Sequence, residues 1–422
     1  MTSKALSLAV MLLTGTLAAQ QPPPQDTTLA ARLERAERLL QILQQQLNEL
    51  AAAPRVEPRS KNHVELSGLV LVNGFFNNGK VNNSDVPQLA DRPDTTGAPT
   101  SHLGGTVRQT QFALTADAPR FAGGSFTGEL DMDFFGGQMN TPGGRTWPLL
   151  RVRRIRAEVD WPHAWVMFGQ EAPPIAETNP SSLAQVGLPG YDRSGNLWAW
   201  IPQVRVGAEL GTIMKVGLEG SVLAPTSWDF QGVGVFNTQP DRAERTRRPF
   251  LEGRLRIRWD RTDTEGEISL GGHYGWLISG LDTLVATKAL AASARFTLTR
   301  YLEVRGEAFS GQALSTLGGG GIGSNLGVGN VPVRTRGGWG QLNLRPHPTV
   351  EVGGGFGLDD PNDADLDPAT AWLRNASWEG HVQWRPAPLV LGAEFRRIET
   401  TYGPVLGNVF VNHINVAAGF AF

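Results

Sequence analysis

The sequence predicts an all-β protein: a transmembrane antiparallel up-and-down β-barrel of about sixteen strands, preceded by a short N-terminal coiled-coil helix. Three observations carry that expectation. Several stretches alternate strictly between apolar and charged residues. Short and long connections between the stretches also alternate along the chain. The mean hydropathy of -0.21 is too polar for a helical membrane protein. It suits a barrel, in which only every second strand residue meets lipid.

The first observation is plainest in Phe250–Asp260. Leu251, Gly253, Leu255, Ile257 and Trp259 occupy one parity, and Glu252, Arg254, Arg256, Arg258 and Asp260 the other. Successive side chains of a strand point to opposite faces. One face is therefore apolar and the other charged, as for a strand between lipid and a water-filled interior. Ile155, Ala157, Val159 and Trp161 oppose Arg154, Arg156, Glu158 and Asp160 in the same way. Phe126, Leu130, Met132 and Phe134 oppose Thr127, Glu129, Asp131 and Asp133. Val204, Val206, Ala208 and Leu210 oppose Arg205 and Glu209, and Met214, Val216, Leu218 and Val222 oppose Lys215 and Glu219. The last stretch sets Ile414, Val416, Ala418, Phe420 and Phe422 against His413, Asn415, Ala417 and Gly419.

In chain order, residues 1–19 read as a secretory signal. Lys4 is its positive end, Ala5–Leu17 its apolar core and Ala18–Ala19 its small cleavage residues. That core is shorter than the ~20 residues of a membrane span. Residues 20–28 are a linker opening on a proline run. Residues 29–53 predict a periplasmic coiled coil. Its seam is Leu29, Leu33, Ala36, Leu40, Leu43, Leu47 and Leu50, at alternating steps of four and three. Leu39 and Ile42 widen the seam, which favours more than two helices. Residues 54–62 link the coil to the barrel, 63–422.

The expected strands are 64–76, 106–117, 123–135, 149–161, 163–170, 200–211, 213–224, 250–261, 264–277, 289–300, 301–310, 334–345, 348–358, 376–385, 389–399 and 409–422. Connections after even-numbered strands are short, such as Pro162, Thr212 and Pro346–His347. Those after odd-numbered strands are long, such as Asn77–Gly105, Glu171–Ala199 and Gly311–Val333. This asymmetry marks an outer-membrane barrel and puts both termini on the short-turn, periplasmic side. Trp161, Trp259 and Trp384 are expected at one membrane interface, and Trp200, Trp276 and Trp378 at the other.

The remaining features exclude more than they suggest. A net charge of -2 without a basic tail gives no sign of nucleic acid. The absence of cysteine removes disulfides, zinc–thiolate sites and thiol nucleophiles. No G-x-S-x-G or H-E-x-x-H occurs. Gly318–Gly323 has G-x-G-x-x-G spacing, but in a glycine run with neither a strand before it nor a helix after it. The seven histidines are scattered. Asp359, Asp360, Asp363, Asp365 and Asp367 cluster in a long loop without calcium-loop spacing. No catalytic, metal or cofactor site is expected.

What remains is charge on the inner wall. Arg154 and Arg156 form one basic ladder; Arg254, Arg256 and Arg258 form another. Glu129, Asp131 and Asp133 are the facing acids. Glu171, Glu177, Asp192 and Arg193 fall at the long third loop, expected to fold inward and narrow the pore. Glu158, Asp160, Glu252 and Asp260 flank the ladders, which leaves the central arginines expected to be free. Basic walls facing acids bias which ions enter a channel.

At this point the sequence resembles the DcaP-like trimeric porins. Arg108-Gln109-Thr110-Gln111-Phe112 is similar to the family's R-Q-S/T-R-F. Gly128-Glu129-Leu130-Asp131-Met132-Asp133-Phe134-Phe135-Gly136 is similar to its G-x-L-x-x-D-F-F-G strand. Leu150–Glu158 aligns with its arginine-bearing fourth strand, Gly169-Gln170 with its G-Q, and Pro202-Gln203-Val204-Arg205 with its R-Q-P-Q-V-R-Y segment. The coil before the barrel and the terminal Phe422 are further shared traits. Beyond about residue 210 the sequence is generic for barrels. The resemblance implies a sixteen-stranded homotrimer in outer-membrane lipid that passes small anionic solutes, such as carboxylates, by diffusion. Arg154-Ile155-Arg156-Ala157 departs from the family's R-H-A-Y, and Glu171-Ala172-Pro173-Pro174 from its T-W after G-Q. Both departures sit at the entrance to the third loop and bear on the solute. Phosphate-selective porins are the nearest alternative within the class. Outside it stand a closed structural tether, a barrel lipase lacking a visible Ser–His pair, and a soluble propeller lacking a repeat.

Overall fold

A computed structural model describes residues 63–93, 100–137, 146–228, 239–261, 264–404 and 406–422. The predicted signal, linkers and coiled-coil seam, Leu29 to Leu50, lie outside the described residues. The strands are β1 (His63–Asn77), β2 (His102–Thr106), β3 (Gln111–Phe121), β4 (Gly124–Asp133), β5 (Arg151–Asp160), β6 (Ala164–Glu171), β7 (Ile201–Gly211) and β8 (Met214–Leu223). They continue with β9 (Phe250–Arg261), β10 (Thr264–Ile278), β11 (Leu284–Thr299), β12 (Leu302–Gln312), β13 (Arg334–His347), β14 (Val350–Pro361), β15 (Arg374–Trp384), β16 (Leu389–Thr401) and β17 (Asn408–Ala421).

Every pairing is antiparallel, and β17 closes the sheet on β1, from Leu69↔Ala421 to Asn77↔His413. Both β2 and β3 pair with β1, over Asn73–Asn77 and His63–Leu69. They are two halves of one interrupted stave, so the barrel has sixteen staves, as predicted. Thr110 patches the break. Its hydroxyl accepts from Leu71 N at 3.0 Å and donates to Leu71 O at 3.2 Å, replacing lost ladder bonds. Closure leaves no unpaired sheet edge, the condition for strands to cross a bilayer.

The predicted parity holds. On β9 Leu251 and Leu255 are exposed outward while Glu252 and Arg254 are buried. On β17 Ile414, Val416 and Phe420 are exposed, and His413, Asn415 and Ala417 are buried. β5 contains the informative exception. Strict alternation through Ile155 would turn Arg151 and Arg153 toward lipid, at roughly 2–4 kcal/mol each near mid-depth. Instead the register with β4 shifts by one residue between Asp131↔Arg154 and Met132↔Val152. This bulge leaves Val152 and Ile155 exposed outward and lets Arg151, Arg153, Arg154 and Arg156 all reach acids of β4.

Two tryptophans depart from the girdle expectation. Trp200 precedes β7, and the guanidinium groups of Arg151 and Arg153 lie 5.2 and 4.9 Å from its ring, so it packs against the inner wall. Trp378 lies within β15 rather than at its end; it is exposed outward beside Phe356, with ring centroids 5.1 Å apart. Trp384, which ends β15, is exposed outward and fits the girdle; it is only six residues from Trp378, too few for both to reach an interface.

The apolar core lies inside the upper barrel. Ile175, Leu197 and Ala199 of the 172–200 segment pack with Leu314 and Leu317 of the 313–333 connection, and with Phe250, Leu277 and Phe309 of the wall. Glycine permits the closest approaches. Gly195 has φ +103°, and a Cβ there would stand 2.2 Å from the Gly338 carbonyl oxygen on β13. Gly195→Ala is expected to cost about 1–3 kcal/mol from backbone conformation alone, seen as a lowered thermal midpoint of the detergent-folded barrel. An unchanged midpoint would contradict this packing.

Candidate functional site

The register of β4, β5 and β6 sets out the first charge cluster. Glu129 opposes Arg156, and Asp131 opposes Arg154. Arg154 reaches Glu129 at 2.6 Å, Asp131 at 3.1 Å and Glu171 at 3.4 Å. Arg156 reaches Glu129 at 3.0 Å and Glu171 at 3.5 Å. Arg151 binds Asp133 at 2.6 Å, and Arg153 lies 3.8 and 3.7 Å from Asp131 and Asp133. Gly169 permits the entry of Glu171. Its φ is +142°, and a Cβ would stand 2.1 Å from the Ile155 carbonyl oxygen, so β6 can lie tight on β5 only with glycine there.

The second cluster spans β7 to β10. Arg254 binds Glu177 at 2.6 Å, Glu219 at 3.1 Å and Glu267 at 3.6 Å. Arg256 binds Glu219 at 3.1 Å and Glu209 at 3.3 Å, and Arg258 binds Glu209 at 2.6 Å. Arg205 pairs with Glu177 and lies 3.8 Å from Glu219. The central arginines are therefore not free, contrary to expectation. Most of their partners come from neighbouring strands and from the inward segment; of the flanking acids on their own strands, Glu158 lies 3.8 Å from Arg156. Arg205, Glu209, Glu219, Glu267 and the bulged Arg151 and Arg153 belong to the same wall and were not singled out as site residues. Arg205, Glu209 and Glu219 were legible from parity; the bulge was not.

A third cluster lies across the barrel. Arg345 binds Glu351 at 2.8 Å and Glu303 at 3.4 Å, and Arg305 pairs with Glu303.

The segment 172–200 crosses the interior between these clusters. Ile175 N donates to Glu252 of β9 at 3.1 Å, and Leu197 N to Glu307 of β12 at 3.2 Å. Ser181 Oγ donates to Glu351 of β14, and Ser182 Oγ to Glu394 of β16, each at 2.5 Å. Gln185 Nε2 donates to Glu394 at 2.6 Å. On the opposite side Asn73 of β1 donates to Leu183 O at 3.0 Å, and Gln109 donates to Ala184 O at 2.7 Å. Contacts to staves on both sides require the segment to run through the lumen. Glu177 joins it to the second cluster. Asp192 is buried at the start of the tight turn that closes on Asn196. Arg193 has φ 59°, and its guanidinium lies 5.8 Å from the Trp372 ring.

The glycine run is part of this packing and not a nucleotide loop. A Cβ at Gly319 would stand 1.9 Å from Asn196 O, and one at Gly320 would stand 2.5 Å from Leu314 Cβ. The acidic cluster is likewise bonded to its surroundings, and Asp359 and Asp360 lie on β14 rather than in a loop. Asp359 accepts from Thr335 Oγ1 and Ile322 N, Asp360 from Arg336, Asp365 from Arg334, and Asp367 from Thr370 Oγ1.

Open space borders the segment on both sides. Toward the short turns, one cavity of about 690 Å³ touches Glu177, Thr178, Asn179, Lys215, Arg258 and Arg305. Another of about 450 Å³ touches Arg156, Arg205, Glu209, Arg256 and Arg258. Toward the long loops, a cavity of about 510 Å³ touches Arg151, Arg193, Trp198, Trp200 and Trp228. In the first cluster the cations stand proud of the acids that hold them, and so does Arg258 in the second, whereas Arg254 keeps 2% exposure against 29% for Glu177 and Glu267. Arg154 and Arg156 side chains keep 30% exposure and Arg258 44%, against 8% for Glu171 and 1% for Glu219.

No protein-family model matches the sequence, and no curated protein does. Among solved structures, the outer membrane channel DcaP of Acinetobacter baumannii is 17% identical with a TM-score of 0.65, over 86% of this chain and 99% of that one. An anion-selective porin from Comamonas acidovorans is 12% identical with a TM-score of 0.53, over 86% of this chain and 100% of that one. The barrel has the fold of the DcaP channel, as the sequence resemblance led us to expect.

Burial separates the arginines energetically. Glu219 is shared by three of them, and removing one partner of a buried charge pair costs about 3–5 kcal/mol. Exposed pairs contribute less than about 1 kcal/mol. Glu219→Gln should therefore lower the unfolding midpoint sharply and Arg258→Gln hardly at all. Equal effects would contradict the assignment of Glu219 as the shared partner.

Proposed function

We propose that this chain is an outer-membrane porin through which small hydrophilic solutes diffuse, anions such as carboxylates preferentially. The observation that carries the reading is the layering of charge. At Arg154, Arg156 and Arg258 the guanidinium groups are more exposed than the carboxylates of Glu129, Glu171 and Glu209 that hold them. Arginine keeps its charge at any physiological pH. Beside these three arginines a passing solute meets hydrogen-bond donors first, while Glu177 and Glu267 stay open to the cavity next to Arg254. The 172–200 segment then acts as the constriction, with the ladders Arg154/Arg156 and Arg254/Arg256/Arg258 as the basic lining and Glu129, Asp131 and Asp133 as their acidic support. Arg254, almost fully buried, supports the lining rather than touching solute.

An enzyme is the weaker reading. Ser181 and His381 both bind Glu351 rather than each other, so no nucleophile–base pair forms there.

The short turns and both chain ends are assigned to the periplasm, and residues 29–53 to a trimerising coil there. The seam Leu29–Leu50 and the resemblance to trimeric porins support that reading. Three tests follow. In a salt gradient the wild-type reversal potential should report anion preference, stronger at low salt because screening acts over ~8 Å at physiological ionic strength. Replacing Arg154, Arg156 and Arg258 by Gln should move it toward cations; wild-type cation preference would overturn the reading. Deleting Ile175–Gly195 should raise single-channel conductance, and an unchanged value would count against the constriction. Leu40→Asp with Leu47→Asp should make detergent-extracted trimers dissociate at lower temperature; trimers as heat-stable as the wild type would remove the coil's role.

A further inference from the structure

The outer face of β11–β14 is not uniform. Register aligns outward-facing residues into rows around the barrel. Nearest the long loops, Lys288 pairs across with Gln312, and Gln312 with Arg334. The next row is Leu290, Ser310, Arg336 and Asp360. Below it come two rows of small side chains: Ala292, Ala308 and Gly338 ending at Leu358, then Ala294, Gly306 and Gly340 ending at Phe356. Large apolar residues resume beneath, with Phe296, Val304 and Leu342.

The result is a recess two rows deep in the outward wall, under a rim that carries Lys288, Arg334 and Arg336. A cavity of about 640 Å³ opens at that rim, bounded by Lys288, Gln312, Arg334, Arg336 and Asp360. Lys288 is exposed, and among the described residues its amine has no hydrogen-bond or ion-pair partner. Arg336 leans on Asp360 at 2.9 Å with its side chain still 80% exposed, so further guanidinium donors face outward. Tyr274, directly across from Lys288 on β10, is exposed with its ring 4.9 Å from that of Trp276. Aromatic rings of this kind mark the membrane interface, which puts the basic rim at headgroup height. A Cβ on Gly340 would meet nothing within 4 Å, so the recess below is open.

We infer that this face holds a phosphorylated, multiply acylated lipid of the outer leaflet, its phosphate on Lys288 and Arg336 and an acyl chain in the recess. The inference rests on the reading of the barrel as an outer-membrane porin. Phosphate suits two unsaturated cationic donors at the interface, where charge-assisted hydrogen bonds are strong. An acyl chain suits smooth backbone flanked by Leu290 and Phe356. A second copy of the chain would need a complementary acidic rim above a bulky apolar ridge.

The test uses the full-length protein in mild detergent, incubated with diphosphoryl lipid A or its dephosphorylated form and examined by native mass spectrometry. Wild type should keep the phosphorylated lipid and lose the other. The K288Q/R336Q variant should lower its occupancy by about tenfold or more, as expected for two charge-assisted bonds. Gly340→Leu, which fills the recess without clash, should lower it as well. Equal retention of both lipids, or variants that bind as wild type does, would overturn the assignment. A shift in subunit stoichiometry in these variants would overturn it in favour of a protein contact. Conductance in phosphatidylcholine bilayers should be unchanged in both variants, which separates failure of the lipid site from failure of the porin reading.

Discussion

The arginines of the two ladders are held inside this barrel by carboxylates, most of them on the next strand. Moving a guanidinium out of water costs several kcal/mol, and the Coulomb attraction of one close acid offsets this only when further hydrogen bonds complete the shell. The antiparallel register supplies those partners. Glu129 opposite Arg156 and Glu219 opposite Arg254 are cross-strand neighbours on one face, the closest placement a sheet allows. The bulge in β5 serves the same constraint. It gives up one register step to bring Arg151 and Arg153 within reach of Asp133.

The inward segment depends on the same chemistry. A coil lying inside a barrel has backbone N–H groups with no ladder to join. Here carboxylates of the wall accept them, Glu252 from Ile175 and Glu307 from Leu197. Glu177 works in the other direction, lending a charge from the segment to Arg254 on the wall. The wall and its insert therefore complete each other's unsatisfied groups. Removing acids from the wall would loosen both.

The barrel was legible from local pattern because lipid tolerates no charge at mid-depth. Alternation in Phe250–Asp260 alone determines which way each arginine points, and turn lengths determine the pairing order. The interior was less legible for a physical reason. Which acid neutralises which arginine depends on register across strands and on a loop returning from far along the chain. Glu177 and Arg254 are remote in sequence, and nothing local to Arg254 announces its partner. The interrupted stave at 107–110 and the bulge at Arg153 are one-residue events that leave composition unchanged. Trp200 and Trp378 were misassigned because a tryptophan near a strand end reads alike whether it faces lipid, a cation or a neighbouring ring.

A porin of this shape requires water and solute to pass beside the inward segment rather than being blocked by it. The chain contains no cysteine, so a single introduced thiol is a unique reporter. Thr178 lies on the segment and borders the largest of the inner cavities described above. Thr178→Cys channels in a planar bilayer, treated with a charged methanethiosulfonate reagent, should show a stepwise fall in single-channel conductance that a reducing agent restores. Conductance that stays constant while mass spectrometry confirms the label would contradict a pathway at this point.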